Sequence, residues 1–240
     1  MKRFAIVIAA SCAAVLALSS CAGTYQKGNK APEITDAQRD TVSYALGMYY
    51  GKMMTSSPFG EINLNQLKKG FEDVINERET MLDEHNLGMI IQSHLMIMQA
   101  YQATRNLEEG NEFLAANKEK EGVVETESGL QYIIEEEGTG IAPAMTDTVE
   151  VNYEGRLLDG TVFDSSYERG ETTTFPLNRV IKGWSEGLTY IKEGGKIRLF
   201  IPAELGYGER GTGPIPANST LIFDVELIKV SKAAEKPEKK

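Results

Sequence analysis

The stretch VEVNYEGRLLDGTVFDSS, residues 149–166, decides how the second half of the chain is read. Val149, Val151 and Tyr153 alternate with polar residues, the period-two pattern of a strand buried on one face. Asp159-Gly160, between RLL and TVF, is a hairpin turn signal. The alternation returns at Leu130, Tyr132 and Ile134, at Ile197, Leu199 and Ile201, and at Leu221, Phe223, Val225 and Leu227. The turn signals EGTG, LDGT, KEGG and GTGP separate these runs. One short helix is expected at KGWSEGLTYI, residues 182–191. Residues 122–231 are thus expected to form a small antiparallel sheet curled around that helix.

Upstream the period is helical, which makes the fold class α+β. Thr35 stands three residues before Gln38, a capping-box pattern, and Val42, Ala45, Leu46, Tyr49 and Met53 follow at helical spacing. SSPFG, residues 56–60, breaks this helix. Asn63 with Gln66 suggests a second cap, and Leu67, Phe71, Val74 and Ile75 make a second apolar face. Asp83 could cap a third helix that meets no proline before about Lys120, about 35 to 40 residues and roughly 50–60 Å. Its first part, LGMIIQSHLMIMQAYQ (87–102), is apolar on more than one face, where a surface helix needs only one stripe. Residues 35–121 are therefore read as an all-helical domain with a long connecting helix. It is either a self-contained three-helix bundle or a dimerisation domain in which two chains interlock. From Thr104 the helix turns polar, apart from Leu107, Phe113 and Leu114, and is expected to stand in solvent as a rigid spacer.

The two ends read differently. MKR followed by FAIVIAASCAAVLALSS has the form of a secretory signal over residues 1–20. It ends LSSC, which looks like a bacterial lipobox with Cys21 as the acylated residue. Residues 21–34, polar and small, would be a lipidated tether. Ala22 after that cysteine favours the outer membrane, facing the periplasm. Beyond the leader no apolar run approaches the roughly 20 residues of a membrane helix, so the chain is expected to be anchored rather than spanning. Cleavage would remove Cys12 and leave one acylated thiol, so no internal disulfide is expected. The charged residues 232–240 are expected to be a disordered tail.

The net charge of -10, without a basic cluster, argues against nucleic acid as a partner. Both histidines, His85 and His94, lie in the helical region, nine residues apart. That is not a metal-ligand spacing, and neither is placed to activate a serine in the strand domain. The glycines of GKIRL and GYGERGTG lack the order of a phosphate loop. No cofactor and no metal are expected. What remains is a set of aromatics, Tyr153, Phe163, Trp184, Tyr207 and Phe223, with Asp164 directly after Phe163. Such residues are either the core of a small sheet or the lining of an apolar pocket.

Four further pieces carry a resemblance: VFDSS, VIKGW, IPAELGYG and TLIFDVEL. In this order and spacing, residues 123–231 look like an FKBP-type peptidyl-prolyl cis–trans isomerase. SYALGMYYG and NEFLAANKEKEGVVETESGLQY resemble the amino-terminal part of the macrophage-infectivity-potentiator and FkpA-type envelope subgroup, whose helical arms form a V-shaped dimer. The resemblance implies an FKBP-like sheet and rotation of X-Pro bonds in exported, partly folded polypeptides. It also implies a homodimer and binding of FK506- or rapamycin-like macrocycles. A dimeric holding chaperone with minor isomerase activity is the alternative. By resemblance the proline pocket would be built from Tyr153, Phe163, Asp164, Val180, Ile181, Trp184, Tyr207, Ile215 and Phe223. Trp184 would form the floor, and Phe163 and Phe223 the sides. The Ile181 N–H and the Tyr207 hydroxyl would hold substrate carbonyls. Asp164 would accept a hydrogen bond from Tyr153, with Tyr153, Asp164 and Tyr207 as the catalytic set. One departure is Thr173, where single-domain members carry an aromatic, and the pocket wall is expected to be more open there. GERGTGPIPAN reads as a flap over the pocket with Ile215 at its tip.

Overall fold

The computed structural model describes residues 34–233. The expected signal, the expected acylation site Cys21 and nearly all of the expected tether lie outside these residues. The chain divides into two compact units, one ending at Met54 and the other beginning at Thr55.

The first unit contributes helix α1 (Asp36–Thr55). Its start is the expected capping box. The Thr35 N–H donates to Gln38 Oε1 at 2.9 Å, and the Gln38 N–H donates to Thr35 Oγ1 at 3.3 Å. No residue of this helix is buried, and Val42, Leu46, Tyr49 and Met53 are exposed.

The second unit opens with α2 (Leu64–Ile75), where Asn63 Oδ1 accepts from the N–H groups of Asn65 and Gln66. Asp83 caps as expected, but what it caps is a 3-10 turn, Glu84–Asn86. Helix α3 (Leu87–Asn117) follows, 31 residues long, or about 46 Å. It is shorter than expected because the chain enters through the tighter turn and Asn86 makes no side-chain cap bond.

The second half of α3 is not a spacer in solvent. Ala103, Asn106, Gly110, Phe113, Leu114 and Asn117 recur on one helical face and are buried or half-buried. Phe113 packs on Phe200, ring centroids 5.8 Å apart. Asn117 Nδ2 donates to the fully buried Gln131 Oε1 at 3.0 Å, and Gln131 Nε2 donates to Leu114 O at 2.9 Å. Apart from Phe113 and Leu114, the docking stripe is made of small residues and amides, so hydropathy shows only part of it.

The rest is an antiparallel sheet of β1 (Val124–Glu125), β2 (Gln131–Glu136), β3 (Thr148–Arg156), β4 (Val162–Ser165), β5 (Thr173–Pro176), β6 (Lys196–Ile201) and β7 (Leu221–Ser231). The order is β1-β2-β6-β7-β3-β4, and β5 pairs with the first half of β3. Between β4 and β5 lies the one-turn helix α4 (Ser166–Arg169), and α5 (Lys182–Gly187) precedes β6. The Asp159-Gly160 turn forms, with Gly160 at φ 85 and its N–H donating to Leu157 O. Strand β5 and helix α4 were not legible in the sequence, being four residues each. Val149, Val151, Leu199, Ile201, Leu221 and Leu227 are fully buried against Trp184, Leu188 and Ile191. Each buried aliphatic side chain contributes roughly 1.5–3 kcal/mol. At the other end, Lys232 and Ala233 are held by Asp147, so these two residues of the expected tail are ordered. The remainder of that segment lies outside the described residues.

Candidate active site

One side of the sheet carries a cavity of about 440 Å³. All nine pocket residues anticipated from the sequence line it: Tyr153 from β3, Phe163 and Asp164 from β4, Phe223 from β7, Val180, Ile181, Trp184, Tyr207 and Ile215. Five others line it as well: Phe175, Arg179, Thr212, Gly213 and Pro214.

Trp184 is the organising ring. It meets Tyr153 (5.1 Å, 88°), Phe223 (5.1 Å, 81°) and Phe175 (5.7 Å, 88°) near right angles, the favoured edge-to-face arrangement. Phe163 stands against Phe223 in the same way, at 5.4 Å and 83°. Gly155 makes room for that pair. It follows Val149, Val151 and Tyr153 on the inward side of β3, and a Cβ there would lie 2.5 Å from Phe223 and 2.7 Å from Phe163. Trp184 Nε1 is buried and, among the described residues, has no hydrogen-bond partner.

Asp164 is fixed from two sides. The Tyr153 hydroxyl donates to Asp164 Oδ2 at 2.5 Å. Arg169 Nη1 pairs with Asp164 Oδ1. Arg169 Nη2 donates to Tyr153 Oη at 3.0 Å and to Thr173 Oγ1 at 3.1 Å, and the guanidinium lies 5.6 Å from the Tyr153 ring centroid. Sequence reasoning missed Arg169. It reaches Asp164 because Ser165 caps helix α4, whose single turn folds the chain back, and Gly170 closes the turn at φ 72. A four-residue helix gives no periodicity to find.

Burial, and then the hydrogen bond to Asp164, push the Tyr153 phenol above its usual range. Burial, and then the charge of Asp164, raise the Tyr207 phenol likewise. Both phenols are therefore neutral through physiological pH. No histidine or cysteine lines the cavity. Among the described residues no cluster of three metal-ligating side chains occurs. The Ile181 N–H, at the entry of α5, finds no protein acceptor among the described residues.

Two details correct the sequence reading. Ile215 is not at the flap's tip. Thr212 and Ile215 exchange hydrogen bonds across Gly213-Pro214, which form the tip, while Ile215 is 6% exposed at its base. Gly213 takes φ 49, which the tight turn requires. Thr173 is not part of the cavity lining. Its hydroxyl accepts from Arg169, and Phe175, two residues on, supplies the wall.

The family model of the FKBP-type peptidyl-prolyl cis-trans isomerase matches residues 140–228. The model of the domain amino terminal to these isomerases matches residues 39–134. FkpA of Aeromonas hydrophila is 43% identical over 203 residues, covering 80% of this chain and 76% of the relative. The chain belongs to the FKBP-type peptidyl-prolyl cis–trans isomerases. The outer membrane protein MIP of Legionella longbeachae is 41% identical over 82% of this chain and 87% of its own length. The crystal structure of FkpA from Escherichia coli matches with a TM-score of 0.65 at 39% identity, over 83% of this chain and 99% of that one. The FKBP fold, an antiparallel sheet with one short packed helix behind a helical region, is thereby that of this chain.

As an FKBP isomerase it rotates X-Pro peptide bonds, and the alternative of a holding chaperone with minor catalysis is not favoured. The barrier is about 18–20 kcal/mol, from lost amide resonance. No bond is made or broken, so no nucleophile is required. The cavity has apolar walls around a few fixed polar groups.

Proposed function

We propose that the cavity accelerates rotation by favouring the twisted amide over the planar one. A planar amide is strongly polarised and well solvated by water; a twisted one is less so. Apolar walls therefore penalise the ground state more than the transition state, and each 1.36 kcal/mol of that difference is worth about tenfold in rate. Trp184 lies under the proline ring, and Phe163, Phe223 and Val180 flank it. The Ile181 N–H and the Tyr207 hydroxyl hold substrate carbonyls. Asp164 orients Tyr153 and faces the amide with an acceptor, and Ile215 closes the outer side. The observation that carries this reading is the Tyr153–Asp164–Arg169 arrangement set against near-perpendicular aromatic walls. Catalysed isomerisation of an Ala-Xaa-Pro-Phe peptide tests it. Trp184→Ala and Asp164→Ala are each expected to lose at least about tenfold in kcat/KM, and retention of full catalysis by either would reject the assigned role. FK506- or rapamycin-like macrocycles would fill the same cavity and change the emission of Trp184, the only tryptophan in the chain.

The remaining organisation follows the same reading. Residues 1–20 are a leader, and 21–34 a tether acylated at Cys21. Residues 35–121 form a helical dimerisation domain with its connecting helix, and 122–231 the isomerase. The exposed apolar side chains of α1 and α3, among them Leu46, Tyr49, Met89, Ile90 and Ile97, favour a second copy as their cover. No helix among the described residues is long and apolar enough to cross a membrane, and the lipid would supply the attachment. The name of the Legionella relative supports the cell envelope, with the outer membrane facing the periplasm as the specific site. Mass spectrometry of the protein isolated from membranes would reveal diacylglyceryl and acyl mass on Cys21; an unmodified thiol there removes the anchor. Clients would be exported polypeptides bearing prolines, and two cavities per dimer would add avidity.

A further inference from the structure

The outer wall of the cavity is the loop from Tyr207 to Ser219, and the sheet alone does not hold it. Its stem closes where the Asn218 N–H donates to Gly208 O at 2.9 Å, and its tip closes between Thr212 and Ile215. Thr212, Gly213 and Pro214 are exposed, so Ile215 is the one buried apolar anchor near the tip. Two further bonds leave the stem for helix α3. Asn106 Nδ2 donates to Ala217 O at 2.8 Å, and Asn218 Nδ2 donates to Ala103 O at 3.2 Å. The helix and the loop thus each contribute one amide donor and one backbone acceptor.

Two other features make the contact specific. Gly110, one helical turn beyond Asn106, lets the surfaces meet: a Cβ there would lie 2.3 Å from Thr220 Oγ1. Asn218 holds a left-handed backbone at φ 58, a conformation glycine adopts at lower cost. An asparagine at such a position gains from its side chain, and the bond to Ala103 O is that gain. Tyr207 directly precedes Gly208, the stem's other side, so a displaced stem moves Tyr207 as well as Pro214 and Ile215.

We infer that Asn106 and Asn218 are positioning residues for the isomerase, which fix the loop's stem to helix α3 and so set where Tyr207, Pro214 and Ile215 stand. This rests on the cavity being the site of X-Pro rotation. The paired amides act on the reaction only through the loop and touch no substrate.

The test uses the full chain carrying Asn106→Asp or Asn218→Gly. The first is isosteric but turns an acceptor toward Ala217 O; the second keeps the left-handed backbone and removes only the donor. Catalysis of a proline tetrapeptide is measured well below the unfolding temperature, together with amide hydrogen exchange by peptide. Each variant is expected to lose three- to tenfold in kcat/KM, with faster exchange confined to residues 206–220. Catalysis within twofold of the parent, or exchange raised evenly across the sheet, would overturn the inference and leave the contact merely structural. Trp184→Ala separates the two readings. Its loss of activity beside unaffected asparagine variants rejects the positioning role alone, whereas full activity in Trp184→Ala rejects the cavity reading, and the positioning role with it.

Discussion

Along helix α3, Met89, Ile90, Ile91, Met96, Ile97 and Tyr101 in the first half are all exposed. In the second half, polar by composition, Gly110 and Asn117 are buried and Asn106 is half-buried. Hydropathy and burial run in opposite directions on one continuous helix. The first half presents exposed apolar side chains, the kind of surface that interfaces use. Besides the Phe113–Phe200 contact, the second half docks through hydrogen bonds and close approach, which need an amide or a missing Cβ.

The largest effect is expected from charge on the first half. Met89→Asp combined with Ile97→Asp should convert a two-chain particle to single chains in sedimentation, with the sheet's unfolding temperature unchanged. A particle that stays at one size in parent and variant alike would mean the apolar face has another use. Next comes Gly110→Val in the second half. Its branched side chain meets Thr220, and overpacking of this kind costs about 1–3 kcal/mol, which denaturant unfolding would read as a lower midpoint at unchanged slope. Unaltered stability there would mean the helix does not dock closely. Gln131→Ala should cost about 1–3 kcal/mol, since it leaves the buried Asn117 Nδ2 without its acceptor and Leu114 O with the Lys118 N–H alone. If Gln131→Ala is neutral, the polar docking stripe contributes no stability.

The smallest effects concern pH and set the cavity apart from the sheet's edge. With both cavity phenols raised and no histidine present, kcat/KM is expected to be flat from about pH 6 to 8.5. A bell-shaped profile through neutrality would argue for proton transfer in the rate-limiting step. Asp147 behaves differently. Lys232, followed by the N–H groups of Ala144 and Ala233, holds its carboxyl down at about 2. A depressed folded pKa stabilises above the unfolded value near 3.8, and this contribution is lost as pH falls toward about 2. Acid unfolding of Asp147→Asn should lack that part of the transition and match the parent at the acid end.

How far the chain could be read in advance differs by feature. The Thr35–Gln38 box and the Asn63 cap came through because their partners lie three residues apart and the signal is local. The nine cavity residues are spread over 71 positions from Tyr153 to Phe223, so no period could gather them. Seven of them fall within four short motifs that occur in a family's order, and Tyr153 and Ile215 stand in the neighbouring stretches VEVNYEG and GERGTGPIPAN. Arg169 escaped because its role depends on one helical turn, and β5 because four residues do not make a pattern.

Local residue patterns are enough for the α+β division, the alternating core strands, the caps and the Asp-Gly hairpin. Each is settled by hydrogen bonding or burial within a few residues, and side-chain period encodes that directly. Tertiary packing is what docks the largely polar half of α3, sets Ile215 at the base of its loop and brings Arg169 to Asp164. The α3–loop bonds join groups 111 to 115 residues apart. Whether they form depends on how closely two surfaces approach. Here one absent Cβ at Gly110 sets that distance, and no local pattern records it.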